Sequence, residues 1–482
     1  MEENMGLFSR LAHSLGAPEA AFRLVVSLLL GYPLLLVHRH LLYRKNPTLQ
    51  HLYFIICGMS IGIFNNGMEI YHSMICVFVC WLGLVVGGGS QMSVIFANIF
   101  QMGYLLVGYY MTATTSYDIK WTMPHCVLTL RLIALTWDLY DGIKDKSLLS
   151  AEQAQTALSE CPSLLEVAAH TYFPASYMVG PQFNMKRYLD FTHGRLFSSY
   201  LPNSLLAGFT RGALGLFFMA VFQVSSVWLK EDYLVSDEFA ELSLLKKAVY
   251  VALWGKVTLY KYNSCWLIVE GVCIISGLSY NGRDSSSGLE RWDACKNIKV
   301  TLFEKAFKFY HIIESFNVNT NVWVAKYVYK RMKFLNNRNV STFTALMFLA
   351  VWHGLHSGYY VCFFLEFLIT YFERSVESLL KKYPKLQEQL DLPLVKPLRL
   401  VLMKFYLMVF FGYSLAPFVL LKSYRWWTFF KSTYFIGHIF FGGWVLYRPL
   451  VVMALDAVYG KPVKEKSKEP HPEPPASTVK QD

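Results

Sequence analysis

The stretch "FLAVWHGLHSGYY", Phe348 to Tyr360, lies inside an apolar run, Phe343 to Tyr371, that is long enough to cross a bilayer. Two histidines in such a run need a reason. An ionisable group at membrane depth costs a few kcal/mol, so one that is retained faces a cavity or a partner and not lipid. Read as one continuous helix, His353, His356, Ser357 and Tyr360 fall at i, i+3, i+4 and i+7, along a single face. Trp352 stands beside them, and Gly354 and Gly358 leave room for a close neighbour. A polar stripe on an apolar helix implies a lined cavity.

The rest of the chain has the same character. Of 482 residues, 54% are hydrophobic and only 16% charged, too few charges to solvate a soluble surface of this size. The net charge of +12 sits in short clusters beside apolar runs, such as "HRHLLYRKN" (His38 to Asn46) and "KYVYKRMKF" (Lys326 to Phe334). Clusters in those places read as cytosolic membrane flanks and exclude a nucleic-acid partner. Apolar runs occur at Ala21–Val37, Leu52–Phe64, Ile70–Val86, Met92–Met111, Cys126–Leu139, Leu205–Leu229, Ala248–Tyr260, Cys265–Leu278, Phe343–Tyr371, Leu398–Leu421 and Tyr434–Met453. Several fall short of the ~20 residues a full span needs, so kinked or re-entrant segments are expected. No signal-peptide cleavage pattern follows the first run, which reads as a retained helix.

Strand alternation is nowhere sustained, so the expectation is an all-α polytopic membrane protein. Residues 1–460 would form one transmembrane domain, and the charged, proline-rich residues 461–482 a disordered cytosolic tail. The nine cysteines show no CxxC pair and no zinc spacing, so neither a metal site nor a disulfide framework is expected. None lies beside a base or a cationic motif that would make it a nucleophile. "VVGGGS" (Val85 to Ser90) lacks the Lys-Ser/Thr ending of a phosphate loop and reads as a turn or close helix contact.

A second constellation is "ESFNVNTNVWVAKYVYKRMKF", Glu314 to Phe334. Asn317, Asn319 and Asn321 precede an amphipathic stretch in which Trp323, Val324, Tyr327 and Val328 stand apart from Lys326, Lys330 and Lys333. Taken alone it is a helix N-cap followed by an interfacial helix.

Taken together, the two stretches carry a resemblance. Asn317, then Trp323, then a basic segment, then His353 36 positions after the asparagine, resembles the signature of the membrane-bound O-acyltransferase family. "WHGLHSGYYVCFFLEF" is similar to the WHG-x-x-x-GY-x-x-x-F box of its lysophospholipid-acylating branch. "RLIALTWDLYDG" (Arg131 to Gly142) and "YFPASYMVGPQFNMKRY" (Tyr172 to Tyr188) resemble that branch's upstream boxes. The likeness extends over most of the chain from Arg10. At the C-terminus "TVKQD" lacks the dilysine-type retrieval signal the family would lead one to expect.

The resemblance implies about eleven transmembrane helices, with short re-entrant or interfacial helices, around a central reaction chamber. It implies transfer of a polyunsaturated acyl chain from acyl-CoA, a co-substrate and not a cofactor, to the sn-2 hydroxyl of lysophosphatidylcholine and related lysophospholipids. His353 would be the general base and Asn317 its partner, acting either on the oxyanion or by orienting the imidazole. Trp352, His356, Ser357, Tyr360, Trp323, Lys326 and Lys330 would line the substrate path, the lysines at a basic cytosolic mouth suited to the CoA phosphates. The endoplasmic reticulum membrane and a homodimer complete the expectation. The same fold acting on a sterol, diacylglycerol or protein is the alternative; a transporter should show paired inverted repeats, and none is visible. The sequon Asn339-Val340-Ser341 lies in the basic connector, and a cytosolic connector leaves it unmodified.

Overall fold

The computed structural model describes residues 6–114, 119–197 and 201–461; the tail expected beyond Lys461 lies outside the described residues. The main helices, in chain order, are α1 (Glu19–Val37), α2 (Pro47–Asn66), α3 (Tyr71–Gly87), α4 (Gln91–Met111), α5 (Thr122–Gly142), α6 (Leu205–Ser225), α7 (Leu244–Ser276), α8 (Phe309–Ser315), α9 (Val318–Val324), α10 (Arg338–His353), α11 (Ser357–Leu380), α12 (Val395–Leu420) and α13 (Trp444–Tyr459). Among the described residues there is no β-strand, only an isolated bridge between Arg283 and Glu290.

Among the described residues, five helical stretches are long and apolar enough to cross a membrane by length and composition alone: Glu19–Leu42, Pro47–Gly87, Gln91–Met111, Leu205–Ser225 and Val395–Leu420. Some other helices carry ionisable groups that the bundle buries. Arg131, Asp138 and Asp141 on α5, and Lys247 and Glu270 on α7, are all buried. Such residues lower the hydropathy of a helix without exposing charge to lipid, because the neighbouring helices supply their partners.

Three of the apolar runs near the functional centre do not map one-to-one onto helices. Ala248–Tyr260 and Cys265–Leu278 belong to the single 33-residue helix α7. The polar residues between them do not break it, because the helical ladder is made by the backbone and the bundle covers Asn263 and Ser264. The third, Phe343–Tyr371, is two helices, α10 and α11, separated by only three residues. At Gly354 the backbone takes φ +135° and ψ −166°, a conformation that L side chains rarely adopt. This break governs the functional centre.

Candidate active site

His353 is the last residue of α10 and His356 the N-cap of α11. The single helical face expected for His353, His356, Ser357 and Tyr360 therefore does not exist; the four are shared between two helix ends because the chain turns at Gly354. Helix α10 is pinned where it ends. The Trp352 indole N–H donates to the Cys126 carbonyl at 2.9 Å, and the Tyr109 hydroxyl donates to the Trp352 carbonyl at 3.0 Å. Helices α5 and α4 thus hold the residue before His353 from both its side chain and its backbone.

The imidazole of His353 sits in an aromatic box. Phe363 stacks on it at 5.5 Å and 24°, Phe418 meets it edge-on at 4.9 Å, and Trp352 and Tyr359 close the sides at 4.5 and 5.7 Å. Among the described residues no group hydrogen-bonds to the ring, so both nitrogens are left to whatever enters the cavity in front of it. That cavity has a volume of about 1280 Å³ and is lined by His353 and Asn317 together. It exceeds the ~300–1,000 Å³ of ordinary small-molecule sites and is walled mostly by apolar side chains.

Asn317 joins α8 to α9 with φ +50° and ψ +44°, the left-handed region that asparagine tolerates better than most residues. The sequence supplies the amide through a local kink and the histidine through a helix end 36 positions later. The fold brings both to one chamber.

Of the other expected site residues, Trp352 and His356 also line the cavity. Trp323 does not: its indole donates to the Leu130 carbonyl at 2.9 Å and its ring stacks on Phe348 at 5.6 Å, so it packs α9 against α5 and α10. Ser357 is exposed and accepts from the Trp426 indole at 3.0 Å. Tyr360 is half-buried among the apolar residues around Trp352 and Phe363.

The two lysines differ most from expectation. Lys326 is buried, with its ammonium 3.1 Å from Asp138 Oδ1. Lys330 pairs with Glu152 on the surface, and Arg331 makes a two-pronged contact with Asp141. Neither Lys326 nor Lys330 lines the cavity. The reason is local: the stretch is not one interfacial helix but α9, a wide turn at Ala325–Tyr329 and a tight one at Lys330–Leu335, which direct the cations to carboxylates of the preceding helices.

Two polar residues of this region were not among the expected site residues. Glu366 lines the cavity from α11; a continuous helix would have placed it roughly opposite His353, and the break brings both to the same chamber. Asn297, in the polar connector before α8, also lines it and touches Asn317. Among the described residues no group of three or more His, Cys, Asp or Glu could hold a metal ion.

The sequence profile of the membrane-bound O-acyltransferase family matches residues 106–416, and the chain belongs to that family. It is a multi-pass membrane protein. Its relatives include lysophospholipid acyltransferase 5 of Homo sapiens, 44% identical over 462 residues that cover 95% of this chain and 94% of the relative. The protein of the same name from Drosophila melanogaster is 39% identical, over 92% of this chain and 89% of its own. That of Caenorhabditis elegans is 34% identical, over 96% and 99%.

Proposed function

We propose that this protein is an acyl-CoA-dependent lysophospholipid acyltransferase of the endoplasmic reticulum membrane, acting on the sn-2 hydroxyl of lysophosphatidylcholine and related lysophospholipids. The observation that carries the reading is the shared chamber of His353 and Asn317 in a chain this similar, end to end, to proteins named lysophospholipid acyltransferase 5. A chamber of this size and apolar character suits two lipid-like substrates at once.

In this mechanism His353 takes the proton from the sn-2 hydroxyl as its oxygen attacks the thioester carbonyl. A base within hydrogen-bond reach contributes roughly 10²–10⁴-fold for an alcohol nucleophile near pH 7. The new C–O bond forms and the carbonyl π electrons move to oxygen, giving a tetrahedral oxyanion that Asn317 stabilises. One such donor is worth on the order of 10²–10³-fold. Collapse breaks the C–S bond, and the departing CoA sulfur receives the proton from His353. The thioester is already activated, so no acyl-enzyme is needed. The aromatic box keeps the imidazole in place while leaving its nitrogens open. Polyunsaturated chains as preferred donors and a homodimeric assembly belong to the same reading.

The test is acyl transfer from labelled acyl-CoA by the purified full-length protein, across lysophosphatidylcholine, lysophosphatidylethanolamine, lysophosphatidylserine, diacylglycerol and a sterol. Turnover on the lysophospholipids is expected. Turnover confined to diacylglycerol or the sterol would reject the substrate class while keeping the reaction.

A further inference from the structure

We infer that Asn297 is a positioning residue that fixes the amide of Asn317 with its NH₂ group toward the reaction cavity. The inference rests on the oxyanion reading of Asn317 given above and supplies a geometric ground for that role over the orienting one.

One group near Asn297 has a fixed polarity. The backbone N–H of Asn319 points at the side-chain amide of Asn297, 2.9 Å away. A backbone N–H only donates, so the atom it meets must be the oxygen. The other end of that amide, Nδ2, is then a donor, and it lies 3.3 Å from the side chain of Asn317. A donor there requires an acceptor, so Asn317 presents Oδ1 to Asn297. Amide orientations are otherwise ambiguous, but here one backbone hydrogen fixes two of them in sequence. What remains of Asn317 is Nδ2, which has no hydrogen-bond partner among the described residues, on a side chain that lines the cavity.

An NH₂ group has no lone pair to offer. It donates to a developing oxyanion or to an unprotonated ring nitrogen, and it cannot accept an N–H from the imidazole to hold a tautomer. The arrangement therefore favours the oxyanion role.

Asn297 is itself held rigidly, as a positioning residue must be. It is 2% exposed. Its carbonyl accepts from the Val318 N–H at 2.9 Å, so it grips residues 317, 318 and 319 in turn. Its own N–H and that of Ile298 donate to Glu270 Oε1 at 2.7 and 2.9 Å. Glu270 is paired at its other oxygen with Arg211, whose guanidinium also donates to the Ile298 carbonyl at 2.6 Å. A chain of contacts thus runs from α6 and α7 through the connector to the amide of Asn317. A buried network with each link made specifies a single geometry.

The experiment uses full-length protein with Asn297→Asp, Asn317→Ala and the double variant, assayed for kcat, for KM of both substrates and for thermal midpoint in detergent. Asn297→Asp keeps the oxygen that Asn319 needs and removes the donor, so Asn317 turns its oxygen to the cavity. The expected result is a fall in kcat on the order of 10²–10³-fold, near that of Asn317→Ala, with both KM values little changed and the midpoint lowered by the buried charge. The double variant should be no slower than Asn317→Ala alone. Should Asn297→Asp fail to fold, Asn297→Ser removes both side-chain contacts without adding charge; its smaller loss should likewise vanish in the Asn317→Ala background. Losses that multiply in the double variant, or a kcat that falls only in step with the thermal midpoint, would overturn the inference. Normal turnover by Asn317→Ala would overturn it together with the proposed mechanism, whereas normal turnover by Asn297→Asp beside a crippled Asn317→Ala would overturn it alone.

Discussion

The ammonium of Lys326 lies 3.1 Å from the carboxylate of Asp138, and the Tyr327 hydroxyl donates to the same oxygen at 2.7 Å, in a part of the bundle where all three residues are buried. Removing one partner of such a pair strands a charge, at a cost of about 3–5 kcal/mol. Lys326→Met should therefore lower the thermal midpoint and the yield of folded protein, and leave the KM for acyl-CoA of the folded fraction unchanged. Lys326→Met combined with Asp138→Asn should recover part of the loss. A raised KM at an unaltered midpoint would put Lys326 back on the substrate path.

The two histidines should separate cleanly in assays of purified protein. His353→Ala loses the base and is expected to cut kcat by roughly 10²–10⁴-fold. His356, across the turn at the N-cap of α11, lines the same cavity outside the aromatic box, and His356→Ala should cost much less. Loss confined to His356→Ala would reverse the assignment.

Two glycines are required here for different reasons, Gly354 in the turn and Gly358 just inside α11. A Cβ on Gly358 would stand 1.9 Å from the Pro417 carbonyl oxygen, where α11 crosses α12, so Gly358→Ala should abolish folding as judged by detergent gel filtration. A Cβ on Gly354 would stand 3.3 Å from the Tyr359 ring, a tight contact that a small shift of the ring relieves, but the conformation itself is strained for any other residue, by about 1–3 kcal/mol. Gly354→Ala should fold with a lowered midpoint and a kcat reduced more than its stability, because the turn aims His353. The idea fails if the two substitutions behave alike.

Asn339 is exposed at the start of α10. With the Lys326–Asn339 connector in the cytosol it should remain unglycosylated in intact cells, read as the absence of a mobility shift on endoglycosidase treatment. A shift would invert the topology.

All nine cysteines are free, and only Cys161 is well exposed. Replacing each by Ala or Ser should leave turnover measurable, with packing losses at the buried positions. Complete inactivation by one replacement in a folded protein would bring back a covalent acyl-enzyme.

Much of the architecture was legible in hydropathy because lipid demands long apolar helices, and runs such as Met92–Met111 correspond to their helices within a residue or two. The pairing of Asn317 with His353 was legible through spacing and family resemblance. What was hidden has a common cause: it depends on contacts remote in sequence or on one backbone angle. The apolar run continues through Gly354 without a mark, so the break in it is invisible to hydropathy. The partner of Lys326 is 188 positions away, and an unpaired lysine in a basic stretch reads as surface. Asn297 sits in a connector of ordinary polar composition, and nothing local distinguishes it from Asn281.

The turn at Gly354 also makes His353 terminal, and that has an electrostatic meaning. The last carbonyls of a helix have no N–H within the helix to meet; at the end of α10 the Gly354 N–H reaches back to Ala350 and Val351 at 3.3 and 3.1 Å, and the Tyr109 hydroxyl meets the Trp352 carbonyl. Aligned peptide dipoles leave about half a negative charge at such an end. The positive charge that the proposed mechanism places on the imidazole would appear beside it. In a partly buried setting a helix end stabilises such a cation by up to about 2 kcal/mol, about thirty-fold in rate if all of it is expressed in the transition state. An unbroken helix from Phe343 to Tyr371 would have left the same histidine in mid-ladder, where the peptide dipoles on either side cancel.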